Sequence, residues 1–175
     1  MLRAVATHLV QRAERRLGVG LDYVHQIVRT DIRLLARYNR IFGFLDPNRH
    51  SQALPYHVAR LRGALAADCG TCVEIEINLA TKAGIESTLI DAILAGRFDD
   101  LPVAVAAVAR LTDAVVNDRE DEPAAREIVR NEFGDAGLIE LAFAMNGAAL
   151  LPGIKRAMGY ATACNVAVLR RKCAT

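Results

Sequence analysis

Cys69 and Cys72 lie in Ala67-Asp68-Cys69-Gly70-Thr71-Cys72-Val73-Glu74-Ile75-Glu76, a C-x-x-C that opens a stretch with the composition of a buried helix. Helix N-terminal amides and the helix dipole favour a thiolate over a thiol, so the placement suits a reactive dithiol, and the same logic makes Cys69 the more activated sulfur. On a helix Cys69, Cys72 and Glu76 stand at i, i+3 and i+7, one above another on a single face. Glu74 is rotated away and reads as a solvated or partner-facing acid. Glu76, flanked by Ile75, Ile77, Leu79 and Ala80, is either an ordinary interfacial glutamate or a carboxyl facing the thiols, with a raised pKa that lets it exchange protons near neutrality. His57 belongs to the preceding segment. If that segment folds back antiparallel with its turn near Asp68, His57 falls opposite about Leu79, within one helical turn of Glu76. A relay His57–Glu76–Cys72 is then geometrically possible; the alternative is a packed or exposed histidine.

The remaining chemistry-bearing residues have plainer roles. Cys164 and Cys173 would face opposite ways on one helix and should not bridge each other. A zinc site from Cys69, Cys72 and His57 would call for a second C-x-x-C or paired histidines. His8, His25 and His50 have no partners in sequence, and Phe42, Phe44, Tyr56 and Phe143 suit a core better than a substrate box. There is no Gly-rich phosphate cradle and no Ser/His/Asp pattern with a recognisable elbow, and aromatics are 5% of the chain with no Trp, so no bound cofactor is expected.

The elements that must position the dithiol are helices. No β-branched alternation persists, and no Asn-Gly or Asp-Gly hairpin turn separates strand-like runs. Amphipathic spacing predicts a helix from Leu2 to Leu17, stopped by Gly18-Val19-Gly20, and a longer one after Asp22 with apolar residues recurring to Phe42. A polar loop, Asp46-Pro47-Asn48-Arg49-His50-Ser51, leads to a helix with Pro55 in its first turn that ends near Ala67. Cys69 or Gly70 begins the next, which Gly84 ends. Ile85 to Ala95 is a short helix closed by Gly96. Asp99 and Asp100 are candidate caps for a helix with Pro102 in its first turn; its run Val103–Ala109 is apolar nearly all round, as suits the centre of a fold or a subunit interface. Asp118–Glu122 is an acidic linker before a helix started by Pro123. Gly134-Asp135 starts another, Asn146-Gly147 and Pro152-Gly153 break the tail, and a last helix runs from about Tyr160 to Lys172. The predicted class is all-α.

At 175 residues the chain has the size of one domain with a real hydrophobic core. A hydrophobic fraction of 53% and a mean hydropathy of +0.18 lean toward extra burial in an oligomer. No apolar run approaches the roughly 20 residues of a membrane span. With no export signal at the N-terminus and a C-x-x-C beside two isolated cysteines, a reducing cytoplasm is the expected location. The net charge of +2 gives no case for nucleic acid, yet Met1–Arg62 holds 11 Arg and no Lys against four acids. That asymmetry suits complementary surfaces between subunits or an acidic partner, because the basic half lacks the aromatic interleaving of a nucleic-acid platform.

The C-x-x-C opening an apolar helix, followed by Leu79-Ala80-Thr81-Lys82-Ala83-Gly84-Ile85, resembles the carboxymuconolactone decarboxylase superfamily, and most closely its AhpD-like alkylhydroperoxidase branch. The likeness is strongest from Pro55 to Gly96; residues 1–20 look like a helical extension and 21–175 like the AhpD-like domain. The resemblance implies an all-helical homo-oligomer, a trimer or hexamer. It also implies a thiol-dependent hydroperoxide reductase in which Cys72 attacks an organic hydroperoxide and Cys69 resolves the sulfenic acid as a disulfide. A dithiol reductant such as a lipoylated protein then reopens the disulfide. By offset, the family's glutamate before the first cysteine falls on His57 and its histidine after the second on Glu76, so acid and imidazole are both present but exchanged. Thr71 stands where the family often has a histidine. An exchanged pair can still relay protons from either end. The alternatives are a general dithiol–disulfide oxidoreductase, and a non-catalytic helical oligomer whose dithiol senses redox state or packs.

Overall fold

The computed structural model describes residues 2–45 and 49–173, with side chains as far as Arg171. Asp46–Asn48 of the expected polar loop and the side chain of Cys173 lie outside the described residues. All regular structure among the described residues is helical: α1 Leu2–Leu17, α2 Asp22–Thr30, α3 Ile32–Asn39, a 3-10 segment Arg40–Leu45, α4 Ala53–Ala66, α5 Gly70–Lys82, α6 Ser87–Ala95, α7 Val103–Thr112, α8 Pro123–Ala157 and α9 Val166–Cys173.

Helix α4 is the axis of the fold, packed against α5, α7 and α8. Its sequence allows this because small and branched residues line every side: Val58, Ala59 and Leu61 have no exposed surface, and Ala64 almost none. Gly63 permits the closest approach, since a Cβ there would stand 2.3 Å from the Met145 carbonyl oxygen of α8. Helix α7 is buried along Val105–Ala109, as its all-round apolar composition predicts. Gly96 takes the left-handed conformation (φ 71°) that closes α6. Helix α5 returns antiparallel along α4, and the turn between them presents the two cysteines.

Several boundaries differ from the sequence expectation. The long helix after Asp22 is broken at Asp31, which is extended (φ −154°, ψ 125°) and whose carboxylate accepts the Arg33 N–H of α3; an Asp that can cap in this way competes with helix continuation. Asp99 and Asp100 do not cap α7. They sit in a single 3-10 turn and pair with Arg110 and Arg97. Gly134 does break α8 (φ 70°, ψ 176°), but Asn146-Gly147 and Pro152-Gly153 do not. There packing overrides local preference: Asn146 donates back to the Ala142 carbonyl, and Gly147 lets Leu45 and Phe44 approach to within 3.0 Å of where a Cβ would be. The final helix begins at Val166 rather than near Tyr160, leaving residues 158–165 as a loop. By length and composition α8 is apolar enough to cross a membrane; Gly134 interrupts it, and Leu141, Ala144, Met145 and Ala148 are buried.

Helices α1–α3 build a second apolar cluster from Ala6, Val10, Tyr23, Val24, Ile27, Val28 and Tyr38, with Ile75 of α5 and Leu151 of α8 packed against it. Asn78 of α5 donates to the Leu17 carbonyl at 2.7 Å, and the Lys82 ammonium reaches the Arg16 carbonyl. The basic N-terminal helix is therefore docked on the helix that carries the dithiol.

Candidate functional site: a buried dithiol beside a lysine

Cys69 is the N-cap residue of α5 (φ −132°, ψ 100°) and Cys72 lies in its first turn. The preceding residue, Asp68, holds a left-handed φ of 48°, a conformation that costs a non-glycine residue free energy and persists only when its surroundings impose it. The loop 158–165 and the end of α8 supply that constraint. The Asp68 carboxylate accepts the Cys164 N–H at 2.9 Å, while one Arg156 nitrogen donates to the carbonyls of both Ala67 and Asp68 at 2.8 Å. The Gly70 N–H donates to the Thr162 carbonyl at 3.0 Å, and a Cβ on Gly70 would be 2.8 Å from the Ala163 oxygen. The loop thus lies flat over the start of α5 and closes the dithiol from solvent. Cys69 has no exposed surface and Cys72 is 8% exposed; both are free thiols.

The two sulfurs are not equivalent. The neighbouring Cys72 thiol favours a Cys69 thiolate most; burial opposes it, the Cys72 backbone N–H and the Lys155 ammonium add to it, and together they pull the Cys69 thiol down to about 6. Cys72 moves the other way. Its proton is committed to Cys69, and burial and the negative charges of Cys69 and Glu76 push it up, against the opposing pull of Lys155. At neutral pH the pair is one thiolate at the helix cap and one thiol beside it. The resemblance implied the opposite distribution of roles; the field at the helix start favours Cys69.

Lys155, near the end of α8, is 3% exposed. It pairs with no carboxylate among the described residues. Its ammonium sits 5.2 Å from the centroid of the Tyr23 ring, a cation–π contact, and its charge acts on Cys69. Tyr23 in turn shares a 2.5 Å hydrogen bond with the Tyr38 hydroxyl. Burial pushes Tyr23 up to about 12 and Tyr38 further, so both stay phenols.

On the other side of Cys72, Glu76 is buried (4% exposed) and bound by Arg60 of α4 through two parallel hydrogen bonds of 2.7 and 2.9 Å. Arg60 also donates to the Tyr56 hydroxyl at 3.0 Å. Tyr56 contributes to the wall of a surface groove of about 460 Å³ that also includes Phe44, Ile139, Glu140 and Phe143. His57, next along α4, is buried, and its Nδ1 has no hydrogen-bond partner. Burial, with help from the Arg60 charge, lowers its pKa to about 4, so the imidazole is neutral in the neutral range.

Of the residues singled out in the sequence, Cys69, Cys72 and Glu76 come together on one face of α5, as expected. His57 lies on the adjacent helix, but no hydrogen bond joins it to Glu76 or to either cysteine; both Glu76 oxygens are taken by Arg60. Sequence reasoning missed Arg60, Lys155, Tyr23 and Tyr38. The register that placed His57 near Glu76 also sets Arg60 and Glu76 equally far from Asp68, so Arg60 was within reach of that argument. Lys155 left a fainter trace, as one of three lysines against 19 arginines, set in the apolar tail of a helix. Among the described residues no three of His, Cys, Asp or Glu gather in a way that could hold a metal ion.

No family model matches the sequence, no curated protein is similar to it, and no solved structure matches its fold. The class defined by fold and site is an all-helical protein with a buried, closely spaced cysteine pair at a helix start, consistent with a redox-active dithiol.

Proposed function

We propose that this protein is a thiol-dependent hydroperoxide reductase of the AhpD-like kind, acting through Cys69 and Cys72. The observation that carries the proposal is the buried pair itself, Cys69 at the cap of α5 and Cys72 in its first turn, an arrangement that pulls the Cys69 thiol down and pushes Cys72 up. A thiolate is the nucleophile toward a peroxide O–O bond, and an adjacent thiol is placed to resolve the product. Cys69 attacks the terminal oxygen, the O–O bond breaks, and Cys69 becomes a sulfenic acid as an alcohol leaves. Cys72 then attacks the sulfenic sulfur, forming the disulfide and releasing water. A dithiol reductant, such as a lipoylated protein, returns both sulfurs to the reduced state.

The Cys69 interaction and burial keep Cys72 in its thiol form, and the charge of Glu76, fixed by Arg60, adds to them. His57 is held neutral beside that ion pair and is assigned no bond to the reacting atoms. A homo-oligomer remains part of the proposal, supported by apolar residues left exposed in the single chain, Phe44, Ile139 and Phe143 among them.

The test is stoichiometric. Reduced protein is mixed with a small excess of cumene hydroperoxide, and free thiols and intact mass are followed for the wild type, Cys69→Ser and Cys72→Ser. The wild type should rapidly lose two hydrogens per subunit, Cys72→Ser should stop at a Cys69 sulfenic acid, and Cys69→Ser should be inert. Oxidation no faster than that of a simple thiol would overturn the proposal in favour of a structural dithiol.

A further inference from the structure

We propose that Lys155 is the proton donor of the dithiol's oxidation, its charge rising and falling with that of Cys69. The inference rests on the functional proposal above and extends it to the fate of the protons. A lysine 3% exposed needs a compensating anion, since an isolated ammonium in a dry site is strongly disfavoured. The described residues offer no carboxylate to Lys155. What faces it is the Tyr23 ring, 5.2 Å away, and Cys69. Of the other titratable groups around the dithiol, Tyr23 and Tyr38 are committed to each other, Glu76 to Arg60 and Asp68 to the Cys164 amide, while burial and the charges of Asp68 and Cys69 push the Cys164 thiol up and keep it protonated.

The reduced site therefore holds one anion, the Cys69 thiolate, and one cation, Lys155. Oxidation to a sulfenic acid removes the anion and expels an alkoxide that needs a proton. Transfer from the Lys155 ammonium satisfies both needs at once: the alcohol leaves, the amine becomes neutral, and no uncompensated charge stays buried. When Cys72 attacks, its thiol proton and the sulfenic hydroxyl depart as water, so the disulfide forms beside a neutral Lys155. An incoming dithiol carries two protons. One returns to Cys72 and the other to Lys155, which restores the ion pair. The sum is one hydroperoxide and one dithiol converted to an alcohol, water and a disulfide, with no proton drawn from solvent.

That balance is measurable on the unmutated protein. Reduced enzyme in weakly buffered solution with a pH indicator, somewhat above the Cys69 midpoint, is oxidised once with cumene hydroperoxide. No proton uptake is expected; uptake approaching one proton per subunit means Lys155 stays charged and overturns the proposal. Two variants sharpen it. Lys155→Met should raise the Cys69 midpoint, read by ultraviolet thiolate absorbance without any peroxide, by about half a unit to one unit toward the ordinary thiol range, the Cys72 contribution remaining. Lys155→Arg should keep the midpoint low yet slow single-turnover oxidation about a hundredfold, because a guanidinium supplies charge but does not give up a proton. An unchanged midpoint in Lys155→Met, or wild-type speed in Lys155→Arg, overturns the assignment. If the wild type ignores hydroperoxide altogether, the functional proposal fails, while the thiolate titration still decides whether Lys155 and Cys69 form a pair.

Discussion

Two buried cations flank the dithiol, and they are held in opposite ways. Arg60 is gripped by a carboxylate in a two-point match, with a third hydrogen bond to Tyr56. The guanidinium does not give up its proton and the two-point match does not involve the sulfurs, so this pair is permanent. Lys155 has a ring face and a sulfur whose charge exists only while it is reduced. Burial is similar at the two sites; the permanence of the partner is not. The Arg60–Glu76 pair has the properties of an anchor between α4 and α5, and the Lys155–Cys69 pair those of a working part.

The largest effect should come from breaking the anchor. Glu76→Gln leaves Arg60 buried with its charge unmatched, at a cost of about 3–5 kcal/mol, seen as a lower urea midpoint for unfolding. Replacing both partners, Arg60→Met with Glu76→Leu, should recover most of that loss, because two well-packed apolar side chains avoid the desolvation cost. A Glu76→Gln protein as stable as the wild type would mean Arg60 reaches solvent, and the contrast between the two cations would collapse.

His57 gives a pH signature on the anchor side. Its pKa is lowered from 6.5 to about 4, so the unfolded chain binds the proton more readily than the folded one. Stability is therefore intact above about pH 6.5 and falls as pH drops toward 4, by about 3 kcal/mol in total. Denaturant midpoints across that window should show the slope in the wild type, and His57→Leu should flatten it. A wild-type profile already flat there would mean that Nδ1 finds a partner in solution.

How much of this was legible in the sequence follows from what local pattern can encode. Helix class, the start of α5 at the cysteines, and the antiparallel register of α4 on α5 could be read directly, because glycines, caps and apolar spacing act within a few residues of one another. The same register pairs Glu76 with Arg60, but a histidine looked more like chemistry than an arginine in a basic half of the chain. The loop 158–165 could not be read, because hydrogen bonds to the distant Asp68, Gly70 and Thr71 hold its residues out of a helix. Lys155 could not be paired with Cys69 for a related reason. The two are far apart in sequence, and only the continuation of α8 through Pro152, against local preference, carries the lysine to the cap of α5.

At neutral pH the smallest effect belongs to the working pair, and its window sets it apart. Cys69 is lowered from 9.0 to about 6, so the folded state holds the thiolate where the unfolded chain is still protonated. Its contribution is complete above about pH 9, shrinks as pH falls, is about 1 kcal/mol at pH 7, and is gone below about 6. Stability should thus climb with pH through a window that begins where the His57 window ends. Lys155→Met should reduce only this upper slope, leaving the part due to Cys72, and His57→Leu should flatten only the lower one. The slopes are the quantity to compare, because removing a buried lysine also removes its desolvation cost, which shifts the whole curve without tilting it. Oxidising the wild type to the Cys69–Cys72 disulfide deletes the titrating thiol and should abolish the upper slope without any mutation. A slope that survives oxidation would assign it to another group and leave Lys155 without its redox-dependent partner.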